Sequence, residues 1–71
     1  SFPQPPQRIA QQRRTLRVVA QYFAEAPHDG IDIAWERVTG EPLGCGEVAR
    51  RIRCGVLGEL SRIASSVAGA P

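Results

Sequence analysis

The cysteine and histidine side chains, which serve as nucleophile and base in catalysis and as ligands of zinc, number three in this 71-residue chain: His28, Cys45 and Cys54. Cys45 lies between two glycines at the start of a predicted helix, and a helix N-terminus stabilises a thiolate. His28 is the only histidine and therefore the only candidate for a neighbouring base. Nothing in the sequence brings the two together, so we expect Cys45 to be a small core residue near the start of its helix.

A metal site is not predicted either. A structural zinc ion needs about four ligands, whereas this chain offers two cysteines and one histidine at spacings of 17 and 9 residues. Gly40, Gly44 and Gly46 lack the Lys-Ser/Thr ending of a phosphate-binding loop. Asp29 and Asp32 lack the further ligands of a calcium loop. We therefore expect no catalytic residue, no metal and no cofactor, and the chain is not predicted to be an enzyme.

The cysteines also bear on the redox compartment. On a single helix, nine residues would separate Cys45 from Cys54 by about 13 Å along the axis, beyond the roughly 7 Å Cα separation that a disulfide tolerates. They could pair only if Cys45 lay in a loop that folds back. We expect two free thiols and a cytoplasmic protein.

The basic residues are the more informative chemistry. All nine are arginine and none is lysine, although the net charge is only +2 and the pI about 8.9. Arginine suits contacts to phosphates and to base edges. A GC-rich genome would produce the same bias without any such function, so arginine usage alone leaves both explanations open.

Length and composition limit the architecture that positions these groups. Seventy-one residues make one small domain with a thin stability margin, for which a partner is a natural stabiliser. No apolar run approaches the roughly 18 residues of a membrane span. We assign residues 1–7 to a Pro-rich arm or linker, 8–67 to a three-helix domain and 68–71 to a tail. Because methionine is absent, we expect the chain to begin inside a larger or processed protein.

The first predicted helix covers residues 8–25. Its apolar positions recur at helical spacing on one side: Ile9, Leu16, Val19, Tyr22, Phe23 and Ala26. Polar positions fall roughly opposite: Arg13, Arg14, Arg17 and Gln21. Pro27 and the Asp29-Gly30 pair are expected to end this helix in a turn.

The second segment is short and less clear. Asp32 can cap a helix over residues 33–39 that stops at Gly40. The alternation of Ile31, Ile33 and Trp35 also resembles that of a short strand, which is the alternative.

The third predicted helix, residues 45–67, is the clearest element. Its apolar positions form one continuous stripe: Val48, Ile52, Val56, Leu60, Ile63 and Val67. On the face away from this stripe, Cys54, Gly58, Ser61 and Ser65 form a line of small side chains that lets another backbone approach closely. That neighbour could be a second helix or a DNA strand, and an ordinary solvated face is the remaining explanation.

Three sequence segments together resemble bacterial helix-turn-helix and winged-helix regulators: residues 33–40 (IAWERVTG), 46–52 (GEVARRI) and 60–63 (LSRI). The similarity covers residues 11–67. It implies an all-α, three-helix domain whose third helix enters the major groove of DNA, within a larger transcription regulator.

The resemblance also implies roles for the arginines. Arg50, Arg51 and Arg53 would contact phosphates or guanine edges, and Arg13, Arg14 and Arg17 would contact flanking phosphates. The alternative is a protein-interaction or dimerisation module that binds a partner helix on the small face, or near Val18 and Leu57. No membrane or small-molecule substrate is expected.

Overall fold

The computed structural model describes residues 12–68, and the side chains of residues 12–66. This range forms three helices: α1 (Arg13–Glu25), α2 (Gly30–Thr39) and α3 (Glu47–Ala68). It contains no strand, so the predicted all-α fold with a long C-terminal helix is confirmed. The Pro-rich arm, the first residues of the predicted first helix and residues 69–71 lie outside the described range. No helix between residues 12 and 68 has the length and apolarity needed to cross a bilayer.

The helix α1 follows its predicted pattern. Val19 is fully buried, Leu16, Tyr22 and Phe23 are half-buried, and the opposite face is exposed, as expected. The helix ends at Glu25, where the backbone N–H of Ala26 donates to the carbonyls of Tyr22 and Phe23. A single 3-10 turn, Pro27–Asp29, then reverses the chain.

The helix α2 begins earlier than predicted. It starts at Gly30, and Asp32 lies inside its first turn, so the predicted N-cap at Asp32 is wrong. The strand alternative is also wrong, because residues 30–39 are helical throughout. The predicted stop at Gly40 is confirmed: Gly40 has a left-handed φ of 80°, which favours glycine, and its N–H donates to the Glu36 carbonyl at 2.7 Å.

The helix α3 begins at Glu47, after a connector of seven residues from Gly40 to Gly46. Cys45 lies in this connector and is exposed, so its expected place in the core is wrong. The two thiols are free, as predicted, although the premise that both stand on one helix fails. The predicted apolar stripe begins only at Val48, and the helix begins at the acidic Glu47, whose charge is favourable in a first helical turn.

The core lies where α1 packs against both other helices. Its buried side chains come from all three: Val19, Ala20, Ala34, Trp35, Ala49, Ile52 and Val56. Trp35, at 1% exposure, is the largest of them. The predicted stripe of α3 faces this core, with Ile52 and Val56 buried and Val48, Leu60 and Ile63 packed at its edge. The fold therefore leaves the opposite side of α3 in solvent.

Candidate functional site

Charge is unevenly distributed along the chain. Residues 13–24 and 48–66 together contain seven arginines and one carboxylate, Glu59, a formal charge of +6. Residues 25–47 contain six carboxylates and one arginine, Arg37, a formal charge of −5. Counted over their full bounds, the helices α1 and α3 each carry a formal charge of +2, whereas residues 26–46, which comprise α2 and its flanking segments, carry −3.

The solvent-facing side of α3, which we call the outer α3 face, combines arginines with small side chains. Its exposed residues between 48 and 66 are Arg50, Arg51, Cys54, Leu57, Gly58, Ser61, Arg62, Ala64, Ser65 and Ser66. Its one exposed carboxylate among the described residues is Glu47 at the start of α3, because Glu59 is only 5% exposed. A polyanion approaching this face therefore meets positive charge and little steric bulk.

The small side chains predicted to form an interaction face are all exposed. They are Cys54, Gly58, Ser61 and Ser65, and a Cβ added to Gly58 would meet nothing within 4 Å. Leu57 stands beside them and is 54% exposed. The other helical glycine behaves differently, because a Cβ on Gly55 would meet Leu16 at 2.8 Å. Gly55 thus serves the packing of α1 on α3, whereas Gly58 does not.

The arginines predicted to contact DNA fall into three environments. Arg14, Arg50 and Arg51 are exposed, and no carboxylate among the described residues lies within 4.0 Å of them. Arg53 is bound to α2, because its guanidinium donates to the Asp32 carboxylate at 2.6 Å. Only the first group has its charge fully available to a ligand.

Arg13 and Arg17 belong to the third environment, a cluster around Glu59 on α3. The Nε atoms of Arg13 and Arg62 lie 3.5 and 3.8 Å from Glu59 Oε2, and Arg17 Nε lies 3.8 Å from Oε1. The carboxylate side chain is 6% exposed, whereas the three arginine side chains are 60–66% exposed. The Glu59 cluster thus joins α1 to α3 through one sheltered carboxylate.

Sequence reasoning missed Glu59, although a signal was present. Val56, Glu59 and Ile63 follow the three- and four-residue spacing of the apolar stripe, so a carboxylate occupies a core-facing position. A buried carboxylate requires partners of opposite charge. The arginines of α1 recur at positions 13 and 17, one helical turn apart, and supply two of them.

The structure places the candidate nucleophiles and metal ligands at the surface of the part of the chain that it describes. Cys45, Cys54 and His28 are all exposed, and no group of three or more His, Cys, Asp or Glu residues between 12 and 66 is placed to hold a metal ion. What these residues do offer is a set of exposed guanidinium groups on α1 and α3.

The fold and the candidate site define a small all-α domain of three helices, in which the outer α3 face carries exposed arginines. No family model, curated protein or solved structure matches this chain. The exposed arginines and small side chains of α1 and α3 are therefore the basis for assigning a function.

Proposed function

We propose that this domain binds DNA through the outer α3 face, as a helix-turn-helix type module of a regulator. The observation that carries the proposal is the set of three exposed arginines that stand among small side chains on this face, where Glu47 at the start of α3 is the single exposed carboxylate among the described residues of the helix. Phosphate contacts dominate the affinity of proteins for DNA, and arginine supplies them.

Arg50 and Arg51 would make the central contacts. Both project from the first half of α3 without a carboxylate partner among the described residues, and their guanidinium groups can reach phosphates or guanine edges. Arg14 would add a flanking phosphate contact from α1. Arg53 has a different role in this proposal, since it is held by Asp32 and fixes α2 against α3.

The proposal rests on charge and side-chain size rather than on the connector. The seven residues between α2 and α3 exceed the three or four of a usual helix-turn-helix, and α3 is 22 residues long. A longer helix lying along a groove offers more of its outer face to the phosphates.

Fluorescence anisotropy with a labelled DNA duplex, measured between 50 and 200 mM salt, tests this assignment. We expect binding whose affinity falls steeply with salt, and a loss of at least about tenfold in the Arg50→Gln/Arg51→Gln variant. The slope of log K against log salt concentration should become less steep by the equivalent of about two phosphate contacts, each of which contributes roughly 0.9 to it.

Arg37→Gln is the matched control, because it removes an exposed arginine from the acidic α2. Its affinity should stay within about twofold of the parent. The proposal would be contradicted if no salt-dependent binding were observed. It would also be contradicted if Arg37→Gln reduced the affinity for DNA as much, for each charge removed, as Arg50→Gln/Arg51→Gln does.

A second function is favoured by one observation, the 54% exposure of Leu57 among small side chains. A partner helix, including that of a second copy, could bury Leu57 against Cys54, Gly58 and Ser61. Sedimentation equilibrium distinguishes this case: a dimer has twice the monomer mass and is disrupted by Gly58→Leu or Ser61→Arg. A monomeric parent chain at high concentration excludes the homodimer.

A further inference from the structure

An open cleft of about 500 Å³ lies between α1 and α3, beside the Glu59 cluster. Its lining residues are Arg17, Gln21, Glu59, Arg62, Ile63 and Ser66. Arg50 and Arg51 precede Arg62 by eleven or twelve residues, a distance of about 17 Å along the helix axis. The cleft is therefore distant from Arg50 and Arg51, the arginines proposed to make the central DNA contacts, although it shares Arg62 and Ser66 with the outer α3 face.

The charges at this cleft do not balance. Arg17 and Arg62 line the cleft, and Arg13 approaches Glu59 from outside the lining, so the three guanidinium groups of the cluster exceed its one carboxylate by two positive charges. The Nε atoms of Arg13 and Arg62 lie 3.5 and 3.8 Å from the same oxygen, Glu59 Oε2. The two Nε atoms can therefore be no further apart than the sum of these distances. Like charges held this close are stabilised by an anion placed between or beside them.

The arginines also retain donors for such an anion. All three approach Glu59 through Nε, and their terminal Nη groups make no hydrogen bond among the described residues. Gln21 and Ser66 add an amide and a hydroxyl to the lining, and Ile63 adds an apolar wall. The carboxylate of Glu59 is the one repulsive group in the lining, and it is sheltered and opposed by three cations.

We propose that this cleft binds the phosphate dianion of a small phosphomonoester. A dianion matches the two unbalanced charges, and guanidinium forks hold phosphate oxygens by paired hydrogen bonds. The volume lies within the range of small-ligand sites, and Ile63 would contact the ester carbons. A phosphodiester, as in DNA, carries one charge and matches the cluster less well. Glu59 acts here as a positioning residue that holds the three arginines together.

The test is an NMR titration of the ¹⁵N-labelled chain with glycerol 3-phosphate at pH 7.5 and constant ionic strength. We expect saturable shifts confined to the Nε–Hε signals of Arg13, Arg17 and Arg62 and to the Gln21 amide. Arg17→Gln and Arg62→Gln should each weaken binding by about tenfold, the loss of one charge-assisted pair of hydrogen bonds. Both residues are exposed, so the fold, checked by circular dichroism, should persist.

Matched probes and variants make the outcome decisive. Arg51→Gln removes the same charge away from the cleft and should leave the affinity within about twofold. Dimethyl phosphate, a monoanionic diester, should bind at least about fivefold more weakly than glycerol 3-phosphate. Non-saturating shifts spread over all arginines, equal losses in the Arg51 and Arg62 variants, or equal binding of the diester would each overturn the proposal.

The same variants separate this inference from the proposed DNA binding. If Arg50→Gln/Arg51→Gln loses the duplex but still binds glycerol 3-phosphate, the cleft is an independent site, as we propose. If the duplex competes with glycerol 3-phosphate for the cleft in that variant, the cleft is a nucleic-acid contact and the phosphomonoester assignment is wrong.

Discussion

Leu16 of α1 packs against the backbone of α3 at Gly55, so closely that a Cβ built on Gly55 would lie 2.8 Å from Leu16 Cδ1. Gly58, one turn further along the same helix, has no atom within 4 Å of the equivalent position. Two glycines with the same intrinsic cost to the helix thus have different neighbours, and this difference can be measured.

Replacing each glycine by alanine should separate propensity from packing. Gly58→Ala should raise the free energy of unfolding by up to about 1 kcal/mol, because alanine is the better helix former. Gly55→Ala should raise the free energy of unfolding by less than this, or lower it slightly, because Leu16 must move from its packed position. Urea unfolding followed by circular dichroism measures both.

The Leu16→Ala background is the control for this pair. Without the leucine, the two glycine substitutions should have the same effect within about 0.5 kcal/mol. A difference that persists in that background would show that Leu16 is not its cause.

Trp35→Ala should be the most damaging single substitution. Trp35 is the largest buried side chain, and its truncation should cost about 3–5 kcal/mol, a large part of the stability of a domain this size. Ile33→Ala on the same helix is the matched control, because Ile33 is 37% exposed and should cost less than about 1 kcal/mol. Thermal unfolding by circular dichroism compares them, and similar losses would place Trp35 outside the core.

Glu59→Gln should destabilise the domain by about 1–2 kcal/mol. Removing one partner from a fully buried ion pair destabilises a protein by more than this. Here the three arginines are largely exposed, so water screens much of their attraction to Glu59. Glu36→Gln, an exposed carboxylate on α2, should be within about 0.5 kcal/mol of the parent. Urea midpoints measure both, and equal values for the two variants would argue against a stabilising Glu59 cluster.

The Arg53–Asp32 pair should contribute little by itself. A double-mutant cycle with Arg53→Gln and Asp32→Asn should give a coupling energy of about 0.5 kcal/mol, since both side chains are partly exposed. Asp32→Asn alone should cost more than Arg53→Gln alone, because Asp32 also lies in the first turn of α2 and interacts with the helix dipole. Repeating the cycle in 1 M salt should reduce the coupling. A coupling above 2 kcal/mol would show a pair far stronger than its exposure allows.

Periodicity was sufficient to predict α1, α3 and the buried face of α3, whereas the alternation in the α2 segment also fitted a strand. Val19, Ile52 and Val56 stand where the apolar spacing placed them, and Gly40 ends α2 as expected. Helix starts were less predictable, because neither α1 nor α2 begins with a side-chain capping hydrogen bond. Asp29 occupies the N-cap position of α2, but its side chain makes no such bond.

The candidate site was predictable only in part. Exposure of Arg50 and Arg51 follows from their place opposite the apolar stripe. The pairing of Arg53 with Asp32 joins residues 21 positions apart and depends on how α2 crosses α3, which no local pattern specifies. The Glu59 cluster likewise required the packing of α1 on α3 before its three arginines could be assigned to one carboxylate.

The separation of charge between the acidic α2 region and the basic α1 and α3 gives this molecule a directional field. A net charge of +2 would attract a polyanion only weakly and from any side. In the proposed encounter with DNA, the separated charges would favour orientations in which α1 and α3, rather than α2, face the polyanion. A nearly neutral domain can in this way select its orientation of encounter.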